Sequence, residues 1–389
     1  MCDQQSAVTI EELTDLPRDG YLLCDVRTAA AYDYGTIPGA VSFPDIRAAA
    51  DRGELPLEKR LILFSMQASQ SERLAAELRG RGYDACCLAG GYEAWLKSYC
   101  LGEERIRETE ESLTKRRRFK ENLFRRFTKA VVEFDMIRPG DRIAVCISGG
   151  KDSMLMAKLF QELKRHDKFP FELVFLVMDP GYNAINRLLI ESNARMLGIP
   201  VTVFETSIFN AVFKIEKSPC YLCARMRRGY LYKQAQLLGC NKIALGHHYD
   251  DVIETILMGM LWGGQVQTMM PKLPSTHYEG MELIRPLYYV REDEIKAWRD
   301  YHHLRFIQCA CRFTEACGDC DDGASVSKRL ETKRLIRALK QSNPHVEANI
   351  FNSMHNVNVD TVIAYKQDGV THHFLETYDE KRRRTGGVS

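Results

Sequence analysis

The sequence predicts an α/β protein with a small parallel-sheet domain at the N-terminus and a larger, doubly wound parallel-sheet domain after it, ending in a mainly helical part. Three observations predict this. Short apolar runs alternate with helical patterns through most of the 389 residues, which is the signature of strands joined by crossover helices. A stretch of almost continuous charge divides those alternations into two blocks. In the second block a strand-like run passes through a pair of glycines straight into an apolar helical pattern, the connection that phosphate-binding sheets use.

The elements follow in order. Residues 1–100 read as one domain: a strand over 21–26, turn chemistry at Gly35 and Pro38-Gly39, a strand over 60–64 and a helix over 71–81. A strand over 85–88, the pair Gly90-Gly91 and a closing helix with Trp95 complete it. Residues 101–118 are acidic first and basic last, the composition of an exposed helical linker. A second domain spans 119–365. It opens with a basic amphipathic helix (Leu123, Phe124, Phe127, Val131), followed by the turn Arg138-Pro139-Gly140 and the glycine loop. Strands are expected over 173–178, 201–204 and 242–245, with helices between them and beyond residue 283. Residues 366–389, ending in a basic run, read as a tail.

Composition bounds the function. The net charge of +2 conceals basic clusters at Lys115-Arg116-Arg117-Arg118, Arg125-Arg126, Arg225 with Arg227-Arg228, and Lys381 to Arg384, each able to meet phosphates or to be a solvated face. No apolar run has the length of a membrane span, and the first residues have no leader pattern, so a cytoplasmic protein without membrane attachment is expected. There thiols stay reduced, and thirteen cysteines point to metal binding or redox chemistry instead of a disulfide framework. Cys24, Cys146 and Cys240 lie among apolar neighbours and read as core.

Three constellations carry chemistry. Ser148-Gly149-Gly150-Lys151-Asp152-Ser153 follows a strand and opens a helix; its glycines let main-chain N–H groups close on an anion while the helix points its positive end there. Asp179, Gly246 and His247-His248 fall just past strand ends, where such sheets bind ligands. Gly246 leaves room for a nucleotide, and Asp250 and Asp251 suit a magnesium ion between phosphate oxygens, although acids at a helix start also serve as caps. Third, Cys220-x-x-Cys223 supplies two thiolates, too few for a closed site, and Cys309, Cys311, Cys317 and Cys320 offer the remainder. Those last four could instead bind zinc by themselves, leaving Cys220 and Cys223 as redox or sulfur-carrying thiols. The arginines after Cys223 stand beside tyrosines, a combination suited to phosphate contact with base stacking.

Ser148 to Ser153, Cys220-x-x-Cys223 followed by Arg225-x-Arg227-Arg228-Gly229, and Ala244-Leu245-Gly246-His247-His248-Tyr249-Asp250-Asp251 resemble the tRNA 2-thiocytidine synthetases, of the PP-loop ATP pyrophosphatase superfamily. Met270-Pro271-Lys272-Leu273 and Ile284-Arg285-Pro286-Leu287 stand at matching stations. The resemblance implies adenylation by ATP of C2 of an anticodon-loop cytidine, at tRNA position thirty-two, with pyrophosphate released and sulfur then displacing AMP. It implies ATP bound by Ser148, Gly149, Gly150, Lys151, Asp152, Ser153, Asp179 and Gly246. Lys151, Asp250 and Asp251 would act in catalysis, with Mg2+. It further implies a 4Fe-4S cluster on three cysteines, mapped here to Cys220, Cys223 and Cys309, with Cys311 a live alternative because the spacing after the third ligand departs from the family's. Cys317 and Cys320 have no counterpart. Expected partners are tRNA, a cysteine desulfurase or other sulfur donor, and a second copy of the chain. Two rival readings remain: a PP-loop enzyme acting on another tRNA base, and a tRNA-binding protein whose cluster only responds to redox conditions.

The first domain resembles rhodaneses, through Leu23-Cys24-Asp25-Val26-Arg27, Gly35-Thr36-Ile37-Pro38-Gly39-Ala40 and Leu88-Ala89-Gly90-Gly91-Tyr92-x-Ala94-Trp95. Rhodaneses carry sulfur on a cysteine placed after the strand equivalent to 61–64. Here that position is Ser65, which cannot hold transferable sulfur, so the domain reads as non-catalytic, a docking module for a sulfur donor or for tRNA.

Overall fold

A computed structural model describes residues 6–101, 119–209, 219–306 and 328–379. The chain divides into two compact units, one of residues 1–249 with 270–322 and one of residues 250–269 with 323–389.

The first unit holds two sheets. The N-terminal sheet joins β1 (Ala7–Val8), β2 (Tyr21–Asp25), β3 (Val41–Ser42), β4 (Arg60–Phe64) and β5 (Ala85–Leu88), all parallel, in the order β1-β5-β4-β2-β3. Strand β4 is central and reads Arg-Leu-Ile-Leu-Phe because both its faces are covered; Leu61, Ile62, Leu63 and Phe64 have no exposed surface. Against one face pack Cys24, Val26, Ile46, Leu74 and Leu78. The crossover helices α1 (Ile10–Asp15), α2 (Ala29–Tyr34) and α3 (Ile46–Asp51) are each started by a polar side chain, Thr9, Thr28 and Asp45, that accepts from a first-turn amide. Helix α4 (Ala68–Gly80) begins three residues before the expected start, because Gln67 to Gln70 read as a polar loop yet carry no helix breaker. Helix α5 (Gly91–Leu101) closes the domain.

The charged residues 102–118 lie outside the described chain. A π-helical turn over Phe119–Phe124 then leads into α6 (Arg125–Glu133). The second sheet runs β10 (Lys272–Pro274), β11 (Glu282–Ile284), β9 (Lys242–Ala244), β6 (Arg142–Ile147), β7 (Glu172–Asp179), β8 (Val201–Glu205). From β11 to β8 it is parallel. The antiparallel edge β10–β11 was not expected: two three-residue strands are too short to show a period. The chain winds from β6 through α7 (Lys151–Arg165), β7 and α8 (Ala184–Met196) to β8. It then returns through α9 (Pro219–Leu237) to β9 on the other side of β6. The winding therefore reverses between β6 and β9, and the crevice where such a sheet takes ligands opens between their carboxyl ends. Helix α11 (Glu292–Tyr301) follows the edge hairpin.

The second unit contains α10 (Tyr249–Gly263) from its second residue onward, with α12 (Lys328–Ser342), α13 (Val346–Ser353) and a hairpin of β12 (Ala364–Gln367) and β13 (Val370–His373). The hairpin corrects the expected tail boundary at 366. Asp368 and Gly369 both take positive φ, +51° and +82°, the two-residue turn that Asp-Gly favours between strands.

Candidate active site

The site is built around the passage from β6 to α7. Strand β6 is buried from Ile143 onward and stops at Ile147. Gly149 takes φ +85°, a conformation that a side chain disfavours, and Gly150 is the cap residue of α7 without any side chain to satisfy the helix's first amides. The turn is fixed by its own serines. Ser153 Oγ donates to the Gly150 carbonyl at 3.0 Å and accepts from the Ser148 amide at 3.1 Å, with Ser148 Oγ at 3.2 Å. A Cβ on Gly246, across the crevice just beyond β9, would lie 3.1 Å from the Ser153 nitrogen and 3.2 Å from its Cα. Two main chains thus approach more closely than side chains permit, and the glycine loop is pressed against the end of β9.

Lys151 is not a free cation over this loop. It is 6% exposed, with Nζ 3.2 Å from Asp152 Oδ1 and 3.3 Å from Glu292 Oε1 at the start of α11. Asp152 Oδ1 is buried and accepts no hydrogen bond among the described residues, and His248 Nε2 lies 3.8 Å from it. Its partners are therefore ionic: the Lys151 ammonium at 3.2 Å and, farther off, the His248 ring.

Asp179 ends β7, as expected, but its carboxylate is already engaged. Oδ1 accepts from the Gly181 and Tyr182 amides at 2.8 and 2.7 Å, and Oδ2 pairs with Arg187 at 2.7 Å. Burial opposes its ionisation, but the Tyr182 amide, Arg187 and the Gly181 amide outweigh that and hold the carboxyl below the usual carboxylate range. Its evident work is to shape its own loop. That loop presents Tyr182, whose hydroxyl reaches the Ser148 carbonyl at 3.4 Å and whose ionisation burial disfavours, with Arg227 and Cys223 of α9 near enough to act on it.

Helix α9 starts with Pro219, suited to a first helical position, and carries Cys220 and Cys223 in its opening turns. Cys223 is half-buried and packs with Met226 and Leu231 against Met178 and Ile208, beside the carboxyl end of β7. Arg225 and Arg228 are exposed and Arg227 half-buried. Cys309, Cys311, Cys317 and Cys320 lie outside the described residues, so the expected third ligand and the zinc alternative have no geometry here.

Asp250 and Asp251 open α10 and fall in the second unit, where Asp251 pairs with Arg329 of α12 at 3.1 Å. The same arginine bonds Glu254 at 2.8 Å, and Lys333 lies 3.5 Å from that carboxylate, which is 2% exposed. Sequence reasoning missed Arg329, Lys333, Glu292, Tyr182 and Arg187, whose partners stand outside any local motif. Only the Arg187 to Glu191 spacing, one helical turn, was a local signal.

In the N-terminal domain, Ser65 follows β4 as expected and is 1% exposed. Its hydroxyl donates to the Gln67 carbonyl and accepts from the Ser71 amide at 3.2 Å, so the loop closes on its own serine. Gly91, at φ +64°, is needed because a Cβ would meet the Ser65 carbonyl oxygen at 2.8 Å.

Two family models match the chain. Residues 119–311 match the PP-loop domain and residues 9–98 the rhodanese-like domain. The tRNA-cytidine(32) 2-sulfurtransferase of Pelobacter propionicus is 36% identical over 242 residues, covering 60% of this chain and 87% of that protein. Those of Anaeromyxobacter dehalogenans and Geobacter sulfurreducens are 33% and 36% identical, covering 62% and 59% of this chain and 80% and 87% of theirs. Among solved structures, a U34-tRNA thiolase of Methanococcus maripaludis with its [4Fe-4S] cluster aligns with a TM-score of 0.45 at 19% identity, covering 71% of this chain and 81% of that one. The chain therefore belongs to the tRNA-cytidine(32) 2-sulfurtransferase family of PP-loop proteins, with a rhodanese-like domain ahead of the PP-loop domain.

Proposed function

We propose that the protein is an ATP-dependent tRNA sulfurtransferase that converts cytidine 32 of the anticodon loop to 2-thiocytidine. The observation that carries this beyond kinship is the crevice itself: an uncapped helix start behind Gly149 and Gly150, held 3.1 Å from where a Gly246 Cβ would stand. Such a cradle suits the phosphates of ATP bound by Ser148, Gly149, Gly150, Lys151, Asp152, Ser153 and Gly246, with Asp179 shaping the adjoining loop.

In the first step the C2 oxygen of cytidine attacks the α-phosphorus and pyrophosphate leaves. In the second, sulfide adds at C2 and AMP departs with the former base oxygen, so no net oxidation occurs. Making the oxygen a phosphate ester turns a poor leaving group into a good one. Lys151 neutralises charge developing on the transferred phosphate, and Asp152 and Glu292 orient its ammonium group. Asp250 and Asp251 supply hard oxygen donors suited to Mg2+. Cys220, Cys223 and Cys309 would hold a 4Fe-4S cluster through their thiolates, and the cluster would supply the sulfide. Arg225, Arg227 and Arg228 on α9 would meet tRNA phosphates beside that centre. A cysteine desulfurase or other donor provides the sulfur, in the cytoplasm, and two chains pair to hold tRNA. No helix among the described residues is long and apolar enough to cross a membrane.

Nucleoside analysis of tRNA from cells lacking the protein tests the reading. Loss of 2-thiocytidine alone is expected; unchanged 2-thiocytidine overturns it. A different missing thionucleoside would identify a PP-loop enzyme of another base. No nucleoside change together with no pyrophosphate released would leave a redox-responsive tRNA-binding protein. For the cluster ligands, Cys309→Ala prepared anaerobically should lose the brown chromophore and Cys317→Ala should keep it.

A further inference from the structure

The N-terminal domain has a serine, Ser65, at the position expected to carry sulfur, yet its carboxyl edge is not idle. Along α5 the rings of Tyr92, Trp95 and Tyr99 succeed one another at 5.5 and 5.4 Å between centroids, and Phe64 stacks behind Tyr92. This ladder meets the PP-loop domain at two elements. Helix α8 packs along α5, and its Ser192 hydroxyl donates to the Cys100 carbonyl at 3.2 Å. The other element is the turn after α11. There His303 takes the left-handed conformation, φ +52°, and the Leu304 amide returns to the Arg299 carbonyl at 2.9 Å, the hydrogen bond that closes a helix through a left-handed residue. That conformation usually belongs to glycine, but histidine is among the other residues that enter it most readily, and its neighbours here support it further.

The support comes from across the domain boundary. Tyr99 donates its hydroxyl to the His303 carbonyl at 2.7 Å. The Arg305 guanidinium lies 5.9 Å from the Trp95 ring and alongside Gly35, where its side chain is 3.8 Å from the place a Cβ would occupy. Gly35 is itself fixed by Arg27, which donates to its carbonyl at 2.8 Å, pairs with Asp25 and lies over Tyr92 at 3.8 Å. On the other flank Asn193 of α8, with no exposed surface, grips the Arg305 carbonyl at 2.6 Å. Leu304 and Phe306 are buried. Residues 303–305 are thus held between a helix of each domain.

We propose that the rhodanese-like domain works as a fixed internal buttress, not as a sulfur relay or an outside docking module. Its partner is this chain's own PP-loop domain, and Tyr99 and Arg305 are positioning residues. They fix the point from which the chain leaves Phe306 toward its cysteine-bearing stretch. Two reasons favour this partner over an external donor. The edge that would receive a donor carries Arg305, and the loop around Ser65 is closed on its own hydroxyl. The effect on thiolation rests on the function proposed above, whereas the clamp itself does not.

The test uses the full chain with Tyr99→Phe, Arg305→Ala and the conservative Arg305→Lys. Backbone amide exchange is read first, in protein without cluster or ATP. Losing one supporting hydrogen bond should speed exchange over residues 302–306 about five- to tenfold in Tyr99→Phe, and α5 should loosen with it. In the loaded enzyme Tyr99→Phe should lower kcat for thiolation while KM for ATP is unchanged, and Arg305→Lys should recover more activity than Arg305→Ala. Unchanged exchange over 302–306 in Tyr99→Phe overturns the buttress, even if Arg305→Ala fails to fold. So does a cyanide-labile sulfur found on any cysteine of residues 6–101 during turnover. Faster exchange with no thiolation in the wild-type protein would instead count against the proposed reaction and leave the clamp standing.

Discussion

Gly246→Ala sets one methyl group against the loop that carries the candidate phosphate cradle. Its Cβ would lie 3.1 Å from the Ser153 nitrogen, 3.2 Å from the Ser153 Cα and 3.3 Å from the Asp152 carbonyl carbon. Comfortable contacts between such atoms begin near ~3.5 Å. All three neighbours are main-chain atoms at the start of α7, so no rotamer change relieves the contact. The Ser153 hydroxyl further ties that turn to Gly150 and Ser148. The helix start must therefore move, by a few tenths of an ångström. Overpacking of this kind costs about 1–3 kcal/mol, which in a binding equilibrium is roughly 5- to 150-fold. Because the displaced groups are the amides offered to phosphate, most of the loss should be seen in ATP affinity, measured by calorimetry, and less in Tm. Gly80→Ala is the control: nothing lies within 4 Å of its added Cβ, and its φ is not positive. Alanine in that helix should leave ATP binding untouched and stabilise by up to about 1 kcal/mol. Unchanged ATP affinity in Gly246→Ala would refute the reasoning, and so would a fall in Tm with affinity intact, which would make the close approach a packing feature only.

Ser65→Cys should not restore a sulfur carrier, because the site is 1% exposed and its loop is closed on the side chain; thiocyanate released by cyanide after incubation with a persulfide donor would contradict this. Asp179→Asn removes a carboxylate whose folded pKa is depressed, so its stabilising contribution is complete above the ordinary carboxylate range and lost as pH falls through the folded value. The Tm difference between wild type and Asp179→Asn should be constant at neutral pH and shrink in acid, and a difference that persists there would refute the assignment. Burial pushes the Cys24 and Cys146 thiols up to about 12, so neither should be alkylated by iodoacetamide in native protein at pH 8, as mass spectrometry of the digested protein would show.

The glycine loop was legible because strand, turn and helix follow one another within a dozen residues, each with a local signature. Gly246 was legible for the same reason, as a glycine at a strand end. Asp179 was only half legible. A carboxylate at the end of a parallel strand reads as ligand-facing, yet its oxygens are taken by the Gly181 and Tyr182 amides and by Arg187. Lys151 was likewise read from its motif without Glu292, which reaches it from 141 positions along the chain. Pairings of that kind carry no period in sequence, because tertiary packing creates them. The β12–β13 hairpin was different: Asp368-Gly369 announced it, and the polar, exposed strands on either side concealed it within an expected tail.

The thiols divide along the same line between what packing decides and what chemistry needs. Cys24, Cys86, Cys87, Cys100, Cys146 and Cys240 are buried, and desolvation raises the pKa of every one. A buried thiol of raised pKa is a poor nucleophile and a poor metal ligand at neutral pH, since both roles require thiolate. Among the cysteines whose side chains are described, Cys223 alone is not fully buried, and it stands beside the carboxyl end of β7, near the tyrosine that reaches the glycine loop. On the proposed function, the described foothold for sulfur chemistry is Cys223 on α9, beside the candidate nucleotide crevice, and not the N-terminal domain. A base activated over Gly149 and Gly150 would find its sulfur on the same sheet edge, without a relay through Ser65.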